Sequence, residues 1–174
     1  MSVELEAAGA AASENSGAST PDGGERSGGG TRRKARQAAL ELLFEAHLRS
    51  VSPVELLDER LAKGAGDKDR VNPDLAYIRP YTAEIVRGVS QHSERIDELL
   101  STYSTHWSLD RMPNVDRELL RIGVWELLYN EDVAEPIAID EAVALAASLS
   151  TDDSPAFVNA LLDRIAKLKP MLAE

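Results

Sequence analysis

The chain has 174 residues, a formal net charge of -11 and 43% hydrophobic residues, enough apolar material for one domain of ordinary size with a real core. It contains no cysteine, which excludes disulfides, thiolate chemistry and cysteine-ligated metal centres and fits a reducing, cytoplasmic setting. No apolar run is long enough to span a bilayer: the stretches around Leu119–Leu128 and Ile137–Leu149 are short and carry Glu126, Asp140 and Glu141.

Charge is unevenly placed. Residues 1–30 carry a net of -4 and seven glycines, with Val3 and Leu5 as the only branched aliphatics, so they predict a disordered tail. Residues 31–36 contribute +4 through Arg32, Arg33, Lys34 and Arg36, and residues 31–174 are read as one helical domain. A helix capped by Thr31 and running to about Arg49 is expected from the apolar spacing Ala35, Ala39, Leu42, Leu43 and Ala46. Four cations at that start oppose the helix dipole, at a few tenths of a kcal/mol each, roughly. This marks them as a candidate phosphate-contacting arm; the plainer alternative is a solvated run that keeps the tail soluble.

Ser52 and Pro53 open a second helix ending near Gly64, followed by a polar loop to Pro73. A third is expected from Tyr81 to Val89 and a fourth from Ser93 to Tyr103. Trp107 and Leu109 lie in a connector before Pro113. The fifth helix, from about Val115 to Tyr129, is apolar around most of its circumference and reads as the central element. A sixth follows from about Ile139 to Leu149, and a seventh opens with Ser154 as cap and Pro155 at its first position. No segment alternates with period two, so the fold class is all-α with about seven helices.

Catalytic constellations are poor. His47, His92 and His106 match no ligand spacing, and Gly28-Gly29-Gly30 is not a phosphate-binding loop of the strand–loop–helix kind. No enzyme activity, metal or cofactor is expected. Two recognition candidates remain besides the cations. Phe157, in the first turn of the last helix, offers a face for stacking an unpaired base, or simply staples that helix to a neighbour. Asp116 and Glu118, at the start of the fifth helix, either complement its dipole or dock a basic partner, which an acidic body would suit.

Taken in order, the chain resembles the NusB family of bacterial transcription antitermination factors. The resemblance rests on Arg32-Arg33-Lys34-Ala35-Arg36-Gln37-Ala38-Ala39-Leu40, Tyr81-Thr82-Ala83-Glu84-Ile85-Val86-Arg87-Gly88-Val89 and Trp107-Ser108-Leu109-Asp110-Arg111. It continues in Val115-Asp116-Arg117-Glu118-Leu119-Leu120-Arg121-Ile122, Ala138-Ile139-Asp140-Glu141-Ala142-Val143 and Phe157-Val158-Asn159-Ala160-Leu161-Leu162-Asp163. It implies two packed three-helix subbundles plus a short extra helix. It also implies pairing with a small basic ribosomal protein (the one also called NusE), joint binding of single-stranded boxA-type RNA, and entry into the antitermination assembly on RNA polymerase during ribosomal RNA synthesis. By that resemblance Arg32, Arg33, Lys34, Arg36 and Phe157 contact RNA, Tyr103 beside the aligned Ser104 is a further RNA candidate, and Asp116 contacts the partner protein. Homodimerisation through the same helical surface stays open. Two other readings compete: a helical interaction scaffold that binds no RNA, and a fragment related to ribosomal RNA cytosine methyltransferases that carry a NusB-like domain.

Overall fold

The computed structural model describes residues 25–66 and 77–172, and among them seven helices and no strand. The helices are α1 (Glu25–Arg49), α2 (Pro53–Gly66), α3 (Pro80–Gln91), α4 (Ser93–Tyr103), α5 (Asn114–Tyr129), α6 (Glu135–Leu149) and α7 (Ser154–Leu172). Of the tail expected over residues 1–30, residues 1–24 lie outside the described residues, as does most of the polar loop expected after Gly64.

Helices α1, α2 and α3 pack on one another, and α5, α6 and α7 form a second mutual set. The short α4 lies against α5 and α7, and α5 also touches α1 and α3, so it joins the two subbundles. That position explains the composition of α5. Leu119, Leu120, Ile122, Val124, Trp125 and Leu127 are all buried, because each face of the helix meets a different neighbour.

Gly88 on α3 lets the Trp125 indole of α5 pack directly against the α3 backbone. A Cβ added there would lie 2.0 Å from Nε1 of the buried Trp125 indole and 2.3 Å from its Cε2. The ring is enclosed and cannot swing aside. Gly88→Ala should therefore destabilise the fold by about 1–3 kcal/mol despite alanine's better helix propensity, which urea unfolding would measure as a lower midpoint at unchanged slope.

Several boundaries differ from the sequence reading. Helix α1 begins at Glu25, six residues before the expected cap, so Thr31 sits inside it. The helix runs through Gly28–Gly30, whose poor propensity had read as the end of a tail. The cations therefore occupy later turns of α1, and their expected conflict with the helix dipole disappears. Helix α6 starts at Glu135, with Pro136 in its first turn, four residues before the expected Ile139. Ser52 does cap α2, accepting from the Glu55 N–H at 3.4 Å. Ser154, by contrast, is fully buried and points inward instead of capping α7.

Candidate nucleic-acid interface

The basic run of α1 splits by helical phase. Arg32, Arg33 and Lys34 are exposed, whereas Arg36 is 2% exposed. The Arg36 Nε donates to Glu126 Oε1 of α5 at 2.8 Å, and its guanidinium lies 3.8 Å from Glu141 of α6. Tyr81 of α3 donates its hydroxyl to the same Glu126 oxygen and accepts from Asn130 Nδ2 at 3.2 Å. Burial and the neighbouring Glu126 carboxylate push the Tyr81 hydroxyl up, which keeps it a donor. The expectation that Arg36 contacts RNA is thus corrected. Its phase places it on the stripe shared with Ala35 and Ala39, where it serves as an internal counter-ion.

The three exposed cations differ in what holds them. Arg33 makes a two-pronged pair with Glu141, through Nε and Nη2, both at 2.9 Å. Arg32 lies over the Tyr81 ring, 5.1 Å from its centroid. Lys34 has no carboxylate partner among the described residues.

Hydrogen bonding from Arg33 holds the Glu141 carboxyl below its ordinary range. With a depressed folded-state pKa, its stabilising contribution is present above the unfolded value of about 4.3 and is lost as pH falls through the folded one. At neutral pH Glu141 is ionised, so any phosphate must compete with it for Arg33. Glu141→Gln should raise RNA affinity by up to about fivefold, the scale of an ion pair with one exposed partner, while costing the fold about 1 kcal/mol. Parallel titrations and acid-unfolding curves of the two proteins would show it.

A second constellation lies on the other subbundle. Tyr103 at the end of α4, the Thr105–Trp107 connector and the first turns of α7 enclose a groove of about 630 Å³. Its walls include Tyr103, His106, Trp107, Asp153, Phe157 and Arg164. The structure thus brings together Tyr103 and Phe157, which lie far apart in sequence. The Trp107 ring meets Phe157 edge-on, with centroids 4.8 Å apart. Arg164 Nη1 donates to the Tyr103 carbonyl at 3.1 Å, which ties α7 to the end of α4. In the sequence Trp107 reads as part of a connector, and Arg164 has no local mark of function. The only available signal was a tryptophan in a short polar segment.

Asp116 is fully buried, and Glu118 is 1% exposed. Asp116 accepts hydrogen bonds from Ser150 Oγ at 2.6 Å and Ser154 Oγ at 2.8 Å. Ser154 in turn accepts from the Thr151 N–H at 3.2 Å. Glu118 is paired with Arg121 at 2.8 Å and lies 3.5 Å from Arg117. Both acids are therefore corrected from surface docking residues to interior ones. Even the first turn of α5 is enclosed, and Asp116 moors the loop that presents Phe157. The arginine cluster lies on α1 and the aromatic groove on α4, the following connector and α7, so the two are separate sites.

Comparison with known proteins settles the family. A family model described as NusB family matches residues 33–167. The chain belongs to the NusB family. The transcription antitermination protein NusB of Beutenbergia cavernae is 55% identical over 82% of this chain and 94% of its own length. A solved T. maritima NusB superposes with a TM-score of 0.63 at 34% identity, covering 78% of this chain and 90% of that one. A structure of the antitermination factors NusB and NusE in complex with dsRNA gives a TM-score of 0.61 at 29% identity, covering 78% and 96%. The chain is thus a NusB-family transcription antitermination factor and not an enzyme. The matched relative is an antitermination protein over nearly its whole length, which leaves the methyltransferase reading without support. Among the described residues no helix is long and apolar enough to cross a membrane, and no cluster of His, Asp and Glu is placed to hold a metal.

Proposed function

We propose that this protein binds single-stranded boxA-type RNA jointly with a small basic ribosomal protein, the one also called NusE, within the antitermination assembly on RNA polymerase during ribosomal RNA synthesis. One observation carries the reading: a chain of net charge -11 keeps Arg32, Arg33 and Lys34 exposed together on one helix. Most other described cations are consumed by internal or surface carboxylates, as with Arg36, Arg60, Arg87 and Arg121. A structural neighbour holds NusB and NusE in complex with dsRNA, which supports RNA and NusE as the classes of partner.

In this account the α1 cations position phosphates, and the Tyr103–Phe157 groove accepts an unpaired base. The acidic body repels a polyanion over a Debye length of about 8–10 Å, and a basic partner offsets that repulsion. A factor acting on nascent bacterial RNA would work in the cytoplasm, and that setting is part of the proposal.

A gel-shift titration with boxA-type RNA, with and without the basic partner, tests the proposal. Binding strengthened by the partner is expected. No shift in either arm would leave only a helical scaffold.

A further inference from the structure

We propose that Tyr77 and Arg79, in the extended segment leading into α3, together with Lys34 form a second arm of the RNA-binding surface, continuous with the α1 cations. Arg79 and Lys34 take phosphates there, and the Tyr77 ring stacks an unpaired base. The inference rests on the RNA-binding reading above and adds residues to it.

Three observations meet at this place. Thr82 in the first turn of α3 donates to the Ala35 carbonyl at 3.0 Å, which clamps the start of α3 against α1 just beyond the cations. As a result Lys34 and Arg79 line one shallow depression of about 260 Å³, with Gln37, Ala38 and Glu41. Glu41 is the single acid there, and it accepts from Gln37 Nε2 at 3.3 Å.

Second, neither cation has a carboxylate partner among the described residues, in a chain where acids outnumber bases 30 to 19. Lys34 and Arg79 lie together, and Arg32, also without a carboxylate, lies against the Tyr81 ring in the first turn of α3.

Third, the backbone aims the segment. Arg79 is extended, at φ -64° and ψ 143°, as a residue before Pro80 must be. Side chains alternate along extended chain. Ile78 packs against the core, Tyr77 is 62% exposed, and Arg79 is half-buried, lining the depression beside Lys34. An exposed aromatic beside unpaired cations is the combination that holds single-stranded nucleic acid, by stacking and by charge.

The test uses the full chain with its basic partner and a synthetic single-stranded boxA-type oligonucleotide, titrated at several salt concentrations. Arg79→Ala should weaken binding about fivefold at 0.1 M salt and flatten the log–log salt slope by about 0.7, the share of one phosphate on a single strand. Tyr77→Ala should weaken it about tenfold with the slope unchanged, and Tyr77→Phe should restore it. Lys167→Ala, which removes an exposed but paired cation elsewhere, should bind like the parent. Parent-like affinity and slope in both Arg79→Ala and Tyr77→Ala, while substitutions of the α1 cations impair binding, would overturn this inference and leave the proposed function standing. Equal losses in Tyr77→Ala and Tyr77→Phe would overturn the stacking assignment. No binding by the parent protein would overturn both.

Discussion

Arg36→Ala is expected to cost the fold about 3–5 kcal/mol, the range seen when one member of a buried ion pair is removed. The side chains of Arg36 and Glu126 are 3% and 1% exposed, so solvent cannot replace the lost partner. Tyr81 would remain as the principal donor to the stranded carboxylate. Burial already raises the Glu126 carboxyl, with Arg36 the main influence pulling it back down, so the variant raises it further. An acid whose folded pKa lies above its unfolded value favours the fold when protonated, and that advantage is lost as pH rises through the folded pKa. Urea unfolding should accordingly show a smaller deficit near pH 4 than near pH 8. Pairing Arg36→Met with Glu126→Leu should recover most of the loss, since an apolar pair of similar bulk needs no counter-ion. That double variant should also bind RNA with an unchanged salt slope. A lower slope would return Arg36 to the list of phosphate contacts.

Replacing Arg32, Arg33 and Lys34 together with Ala carries the largest expected effect on binding. Each phosphate neutralised on a single strand contributes about 0.7 to the slope of log affinity against log salt. Three contacts therefore account for about two units of slope, or roughly a hundredfold in affinity at 0.1 M relative to 1 M salt. The fold should tolerate the change. All three side chains are exposed, and the Arg33–Glu141 pair, with Arg33 at 55% exposure, contributes little to stability. Loss of binding with an unchanged unfolding midpoint would separate this cluster from Arg36, its neighbour in sequence but not in role.

The difference between those neighbours shows what the sequence discloses and what it withholds. Helices α2 and α4 were legible to within a few residues because apolar spacing and flanking polar residues agree there. The start of α1 was not, because Gly28–Gly30 has no local reason to be helical. Of the basic run, composition reveals four cations. The destination of Arg36 depends on Glu126 and Glu141, 90 and 105 positions away, and no local pattern reveals it. The acidic start of α5 misled for a related reason. Asp116-Arg117-Glu118 looks like a solvated first turn, yet its charges are met internally by Ser150, Ser154 and Arg121. Phe157 and Tyr103 were found singly, and their meeting in one groove with Trp107 is a tertiary fact. One arginine before a proline carries no local signal, and Arg79 gains a role only because Thr82 sets the start of α3 beside Lys34.

The most direct measurement of the central claim is the salt dependence of boxA-type RNA binding by the parent chain and the Arg32/Arg33/Lys34→Ala variant, each with the basic partner. The slope for the variant should be about two units shallower and its affinity about a hundredfold lower at 0.1 M salt. Equal slopes and affinities for the two proteins would contradict that claim.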